Sequence, residues 1–473
     1  MTQVSLPLWL FLALAALAAW ALLERLLIPS VRWFLRRRIN RVLDEVGTRL
    51  NIHIRPFQLT KRQVLIDRLA YDPKVLEAME AYAEQEGMPR EVAQAKVVRY
   101  AHEIVPAFNA YIYFRVGYWL ASRLARLLYR VRVGFRDEQR LGGIDPRATV
   151  VFVMNHRSNM DYILVAFLSA EQTALSYAVG EWARIWPLTQ LIRAMGAFFV
   201  RRNSKNPLYR RVLERYVHMA TQEGVCQAVF PEGGLTRDGR IRDPKLGMLD
   251  YMLRGHDPSA GRDIVFVPVG INYDRVLEDR SLVRRLDPHA ERRSRWFVIR
   301  TTLGFIGRNL WLMARSRWHR FGYACVNFGR PVSMRGFCAE QGIDPSRLPT
   351  GERFACVERF ARRLMADVGV AVPVLPTAVV AQVLLEARED LALADITARA
   401  EELCDRYAAE GRMVVMGGAR GHTLVSALNM LVLRHLVVEA GGRFQIASDS
   451  LDVLRYYANS LLPIAVSASS TAN

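Results

Sequence analysis

From about residue 145 the chain reads as short apolar runs, each broken by glycine or a polar turn, with helical patterns between several of them. The runs are "TVVFVMN", "ALSYAVG", "AFFVRR", "CQAVFPEGG", "DIVFVPVGINYD" and "YACVNFGRPVS", beginning at Thr149, Ala174, Ala197, Cys226, Asp263 and Tyr323. Runs this short and this apolar suit strands covered on both faces, and the 3.6-residue periodicity between them, as over 208–223, supplies covering helices. The expected fold class is α/β, a mostly parallel sheet flanked by helices, rather than an all-β sandwich. Ligands of such sheets sit beyond the carboxyl ends of the strands, so the residues that close each run become the candidates for function.

The flanks read differently. Residues 6–23, "LPLWLFLALAALAAWALL", are uncharged over about the width of a bilayer core. No Lys or Arg precedes them, while Arg25, Arg32, Arg36, Arg37, Arg38 and Arg41 follow. That asymmetry predicts an N-terminal membrane helix with the remainder on the cytoplasmic side of the inner membrane; a helix lying in the interface or the protein core is the alternative. The expected division is 1–41 for anchor and basic flank, 42–144 for a helical region, 145–335 for the α/β domain, and 336–473 for a helical region ending in the disordered tail "AVSASSTAN". Two stretches mix aromatic and basic residues: 108–135, read as an amphipathic helix on the membrane or in the core, and the 275–320 insertion, read as a second surface helix. No internal repeat is visible.

Charge narrows the partners. Lys and Arg number 65 against 46 Asp and Glu, a formal +19, which suits a nucleic acid, an anionic membrane or a phosphorylated ligand. No helix-turn-helix, zinc-finger or RNP-type motif is present and the basic residues lie beside apolar stretches, so no nucleic-acid partner is expected. Cys226, Cys325, Cys338, Cys356 and Cys404 are scattered without CxxC spacing, which signals neither a disulfide framework nor a metal site.

At the end of the first run, "NHRSNMD" places His156 five positions before Asp161. Five residues of regular helix separate side chains by roughly 140°, so the pair can meet only if His156 lies in the turn and Asp161 in the helix that follows. A His held through one ring nitrogen keeps one tautomer and leaves the other nitrogen to take a proton from an alcohol. No G-x-S-x-G elbow is present, so the alcohol belongs to a substrate rather than to an enzyme serine. Other run ends add Arg201 and Arg202, then Glu232 with Gly233 and Gly234, Arg237 and Lys245, a set suited to an anion pocket with close backbone approach.

At these residues the chain resembles the glycerol-3-phosphate acyltransferase family, within the H-x4-D acyltransferases of glycerolipids. The family blocks occur in order as "NHRSNMD", "GAFFVRR", "FPEGGLTRDG" and "VPVGINYD", with "PKLGML" before the last. Coverage is clear over 145–335, and "VLPTAVVAQVLLEA" also looks family-like. The resemblance implies His156 as general base and Asp161 as its orienting partner. It implies Arg157, Arg201 and Arg237 as phosphate contacts, and Glu232 and Gly233 shaping the acceptor site. The backbone N–H groups near Gly233 and Gly234 become candidate oxyanion donors. Leu235 stands where many members carry Arg, leaving Arg237, Arg202 or Lys245 to supply that charge. The implied reaction moves an acyl group from acyl-CoA or acyl carrier protein to the 1-hydroxyl of sn-glycerol 3-phosphate, at a phospholipid membrane and with no cofactor or metal. Acylation of lysophosphatidate at its 2-hydroxyl is the alternative.

Overall fold

One sheet organises the molecule, with strand order β1-β7-β6-β2-β5-β3-β4. The strands are β1 (Arg130–Phe135), β2 (Thr149–Met154), β3 (Ser176–Gly180), β4 (Phe198–Val200), β5 (Gln227–Val229), β6 (Ile264–Tyr273) and β7 (Tyr323–Phe328), and β8 (Val332–Ser333) pairs with β6. The computed structural model describes residues 56–135, 138–169, 174–180, 188–201, 204–258, 261–287, 321–345, 347–387 and 389–462. The expected anchor and its arginine flank, positions 288–320 of the insertion, the polar tail and Arg202 lie outside the described residues. Among the described residues no helix is long and apolar enough to cross a membrane.

The expected runs became β2 to β8, and the five strands β6, β2, β5, β3 and β4 are mutually parallel. β7 runs antiparallel to β6, and β1 runs parallel to β7. Every residue of β6 is buried, as the apolar run Ile264–Ile271 demands of a central strand, and Asn272 beyond it is satisfied by donating to the Pro373 carbonyl at 2.8 Å. Pro268, which has no N–H to donate, falls in the gap between the β7 pairing at 269–273 and the β8 pairing at 265–266.

Two helical layers cover the sheet. In chain order the helices used below are α1 (Pro73–Gln85), α2 (Arg90–Ile104), α3 (Tyr118–Leu128), α4 (Met160–Ser169), α5 (Pro207–Gln222), α6 (Gly247–Leu253), α7 (Thr350–Ala371), α8 (Pro376–Ala387), α9 (Leu393–Ala409), α10 (Arg420–Leu433) and α11 (Leu451–Ala458). Alternation along the strands sorts the core: Val151, Val153 and Phe266 pack with α1, α2, α5 and α7, while Met154, Val267, Val269 and Ile271 pack with α8 to α11.

Two expectations are corrected. Residues 130–135 are a strand, not the end of the 108–135 helix, because "RVRVGF" alternates basic with β-branched residues at period two; the sheet therefore begins upstream of position 145. The C-terminal region is not wholly helical. It carries a small antiparallel sheet of β9 (Leu391–Ala392), β10 (Val437–Ala440) and β11 (Arg443–Ile446), whose hairpin turns on Gly441 and Gly442, both at positive φ.

Gly270 lets α7 end directly on β6, since a Cβ there would stand 2.3 Å from backbone atoms of Ala371 and Val372. Gly270→Ala is therefore expected to destabilise the fold by about 1–3 kcal/mol or more, read as a lowered unfolding midpoint.

Candidate active site

β2 ends at Met154, and the turn that follows is built by side chains. Asn155 reaches across to β6, donating to the Ile271 carbonyl at 2.9 Å and accepting from its N–H at 2.8 Å. This tie fixes the turn, which delivers His156 beside Asp161 at the start of α4. His156 Nδ1 lies 2.9 Å from Asp161 Oδ2, and both side chains are buried. The same oxygen accepts the backbone N–H groups of Arg157 and Ser158 at 2.7 and 3.1 Å, and Oδ1 accepts the Tyr273 hydroxyl at 2.6 Å. With Nδ1 donating to Asp161, Nε2 is the ring nitrogen left for the cavity that His156 lines. Phe230 lies against the imidazole at 4.3 Å between ring centroids, and Tyr162 meets it edge-on at 5.3 Å.

Tyr273 and Glu278 were not singled out by the sequence. Tyr273 sits within the quoted "VPVGINYD", one strand over from His156, and only the β2–β6 pairing reveals that its hydroxyl meets Asp161. Burial and the Asp161 carboxyl hold this phenol well above its ordinary value, so it remains a hydrogen-bond donor. Glu278 accepts from the Ser158 hydroxyl at 2.8 Å and the Asn159 amide at 3.0 Å, bracing the turn from outside, and burial raises its carboxyl.

The other expected site residues divide into those that face the cavity, of ≈ 620 Å³, and those that do not. Arg201 and Lys245 line it with Gly233. Arg201 is clamped by Glu103 through two bonds of 2.9 and 2.6 Å, which raises its value further. Lys245 makes no ion pair among the described residues, and its side chain lies over Gly233, where a Cβ would come within 2.7 Å of its Cδ. Gly233 takes φ +68 there, a second reason for glycine.

Glu232 is buried away from the cavity lining, its oxygens accepting the backbone N–H of His156 at 2.8 Å and of Arg242 at 3.1 Å. It therefore joins the β2 and β5 turns. The Gly233 N–H donates to the Phe230 carbonyl at 3.0 Å, which corrects its reading as an oxyanion donor. Gly234 is buried and Arg237 exposed, and neither lines the cavity. Arg157 is also corrected: its buried guanidinium donates to the Gly239 and Tyr456 carbonyls at 2.9 and 3.4 Å and lies over the Tyr456 ring, so it braces the C-terminal region instead of facing the cavity. Tyr456, remote in sequence, carried no signal that could have found it.

A His–Asp pair five residues apart after a central strand, opening on a cavity lined by cations, defines the class of H-x4-D acyltransferases. Two family models match the chain: Acyltransferase over residues 135–272, and Glycerol-3-phosphate acyltransferase C-terminal region over 309–473. Similar proteins include the glycerol-3-phosphate acyltransferase of Pseudomonas entomophila, 34% identical over 60% of this chain and 33% of that one. Another is that of Xanthomonas axonopodis pv. citri, 27% identical over 92% and 49%. The chain belongs to the glycerol-3-phosphate acyltransferase family, and it spans a third to a half of the length of these curated relatives. A solved 1-acyl-sn-glycerophosphate acyltransferase from Thermotoga maritima aligns over 64% of this chain and 98% of that one, at 17% identity and a TM-score of 0.29.

Burial pushes Glu232 up to about 8 from its ordinary 4.5, against the pull of its two backbone donors. Folded Glu232 thus keeps a proton that the unfolded chain releases, and its contribution to stability is complete below pH 4.5 and lost as pH rises through 8. The unfolding midpoint of the wild type is expected to fall across that window by more than that of Glu232→Gln. Parallel curves would show that Glu232 ionises normally.

Proposed function

We propose that the protein transfers a fatty acyl group from acyl-CoA or acyl carrier protein to the 1-hydroxyl of sn-glycerol 3-phosphate, yielding lysophosphatidate for phospholipid synthesis. The observation that carries this reading is the His156–Asp161 contact of 2.9 Å, with the imidazole edge turned to a cationic cavity. His156 Nε2 takes the acceptor's hydroxyl proton as its oxygen attacks the thioester carbonyl. The tetrahedral intermediate then collapses, the C–S bond breaks, and the departing sulfur receives the proton from His156. Asp161 stabilises the imidazolium formed in between, and Tyr273 and the two backbone N–H groups hold the carboxylate in place. Lys245, beside Gly233 and the His156 turn, is the cation placed to meet the acceptor's phosphate.

A second acceptor, lysophosphatidate acylated at its 2-hydroxyl, is favoured by one observation: Leu235 packs against the apolar core in place of a charge. Acyl transfer by membranes carrying the protein, offered each acceptor separately, distinguishes them. His156→Ala is expected to lose roughly 10²- to 10⁴-fold in kcat. Tyr273→Phe, which removes one hydrogen bond to Asp161, is expected to lose about tenfold in kcat with KM little changed. A folded His156→Ala protein of near-normal rate would refute the base.

We infer that the reaction takes place at the cytoplasmic face of the inner membrane, where the acyl product belongs. Besides the apolar segment 6–23, support comes from α3, the turn just before it and β1: Val116, Trp119, Leu120, Leu127, Val133 and Phe135 are exposed, with Arg123 over the Trp119 ring. Apolar groups bordered by arginine suit a headgroup layer. In protein lacking residues 1–41, changing Trp119 and Leu120 to Glu is expected to weaken co-sedimentation with anionic vesicles at least about tenfold.

A further inference from the structure

The cavity has two ends. His156 closes the one after β2, and Arg201 the one after β4. The order β2-β5-β3-β4 puts three inter-strand spacings between them, ~14 Å. Between the ends the lining includes Val179, Val200, Leu213 and Met248.

The far end is a cationic wall assembled from α5 and α6. Arg211 Nη1 meets both oxygens of buried Glu214 at 2.8 and 3.0 Å. Arg254, directly after α6, bonds Glu214 at 2.9 Å and Asp250 at 2.5 Å, and Asp250 also takes Arg353 at 3.0 Å. Two buried carboxylates are thus shared among three arginines, which fixes their orientation and leaves positive charge uncompensated. Arg210 adds a further cation: it gives Nε to the Ser204 carbonyl at 2.6 Å and makes no ion pair among the described residues. Arg210 and Arg211 stand in the opening turns of α5, which has no acidic residue in its first turn, so both cations oppose the helix dipole. A wall that gathers cations against a dipole is arranged for an anion from outside.

Distance selects which anion. Glycerol 3-phosphate has only a few bonds between its attacking hydroxyl and its phosphorus, so with that hydroxyl at His156 its phosphate stays near Lys245. A thioester at His156 is separated from its carrier's phosphate by the whole pantetheine arm, and that arm can cross the cavity. We propose that Arg210, Arg211 and Arg254 form a subsite for the phosphate of a phosphopantetheine-bearing acyl donor, an assignment that rests on the acyl-transfer reading above.

The test is equilibrium binding of coenzyme A, 4′-phosphopantetheine, pantetheine and glycerol 3-phosphate to the full chain in detergent, as wild type, Arg210→Gln and Arg210→Gln/Arg211→Gln. Arg210 is exposed with one backbone bond, so its single variant keeps the fold. Kd for coenzyme A is expected to rise roughly 10- to 100-fold in the double variant, with pantetheine and glycerol 3-phosphate unchanged. An equal rise for phosphopantetheine assigns the subsite to the phosphate that an acyl carrier protein also presents; a rise for coenzyme A alone assigns it to the nucleotide's phosphates. Unchanged binding of both, or weakened binding of glycerol 3-phosphate instead, overturns the proposal. Binding needs no turnover, so failure of the subsite and failure of the reaction are read separately.

Discussion

Asp161 accepts four donors: one imidazole N–H, two backbone N–H groups and one phenol. A carboxylate buried this deeply is tolerated only when its lone pairs are filled, and each filled lone pair here pins a different piece of the molecule. The imidazole and the two backbone groups pin the turn after β2; the phenol pins the end of β6. Breaking one bond therefore both loosens His156 and leaves a buried charge short of a partner, which is the larger penalty.

The same turn is held from behind by residues far along the chain. The Arg157 carbonyl accepts the Tyr456 hydroxyl at 3.1 Å while its guanidinium returns to the Tyr456 carbonyl, and Asn459 donates to the Asp238 carbonyl at 2.8 Å. Gly239 is required in that contact, because a Cβ would stand 1.9 Å from the Tyr456 oxygen. Tyr457 and Arg434 meet at Asp279, next to the Glu278 that braces Ser158 and Asn159. The C-terminal region is thus part of the scaffold of the site, although among the described residues it contributes only Phe354 to the cavity lining.

Charge in the site follows a division of labour. Arg157, Arg201 and the wall arginines are all tied to carbonyls or carboxylates, so they set shape as much as field. Lys245, without such a tie among the described residues, is the cavity cation that lies over Gly233, while the surplus at the far wall comes from sharing carboxylates. A pocket with its charge at both ends and apolar side chains between suits a long ligand better than a compact one.

Local chemistry alone determined much of this. Seven of the strands, the helix over Pro207–Gln222 and the His156–Asp161 pairing were legible because apolar periodicity and a five-residue turn act within a few residues. β1 escaped because its alternation was short and basic, and the hairpin at Gly441–Gly442 because its two strands are four residues each. Which arginines reach the cavity could not be read, since Arg157 and Arg201 look alike in sequence and differ only in what lies across from them: Tyr456 for one, Glu103 for the other. Residue types and their local order therefore decided the chemistry available, and the tertiary structure decided which groups face substrate, because burial and partner choice depend on chain segments hundreds of positions apart.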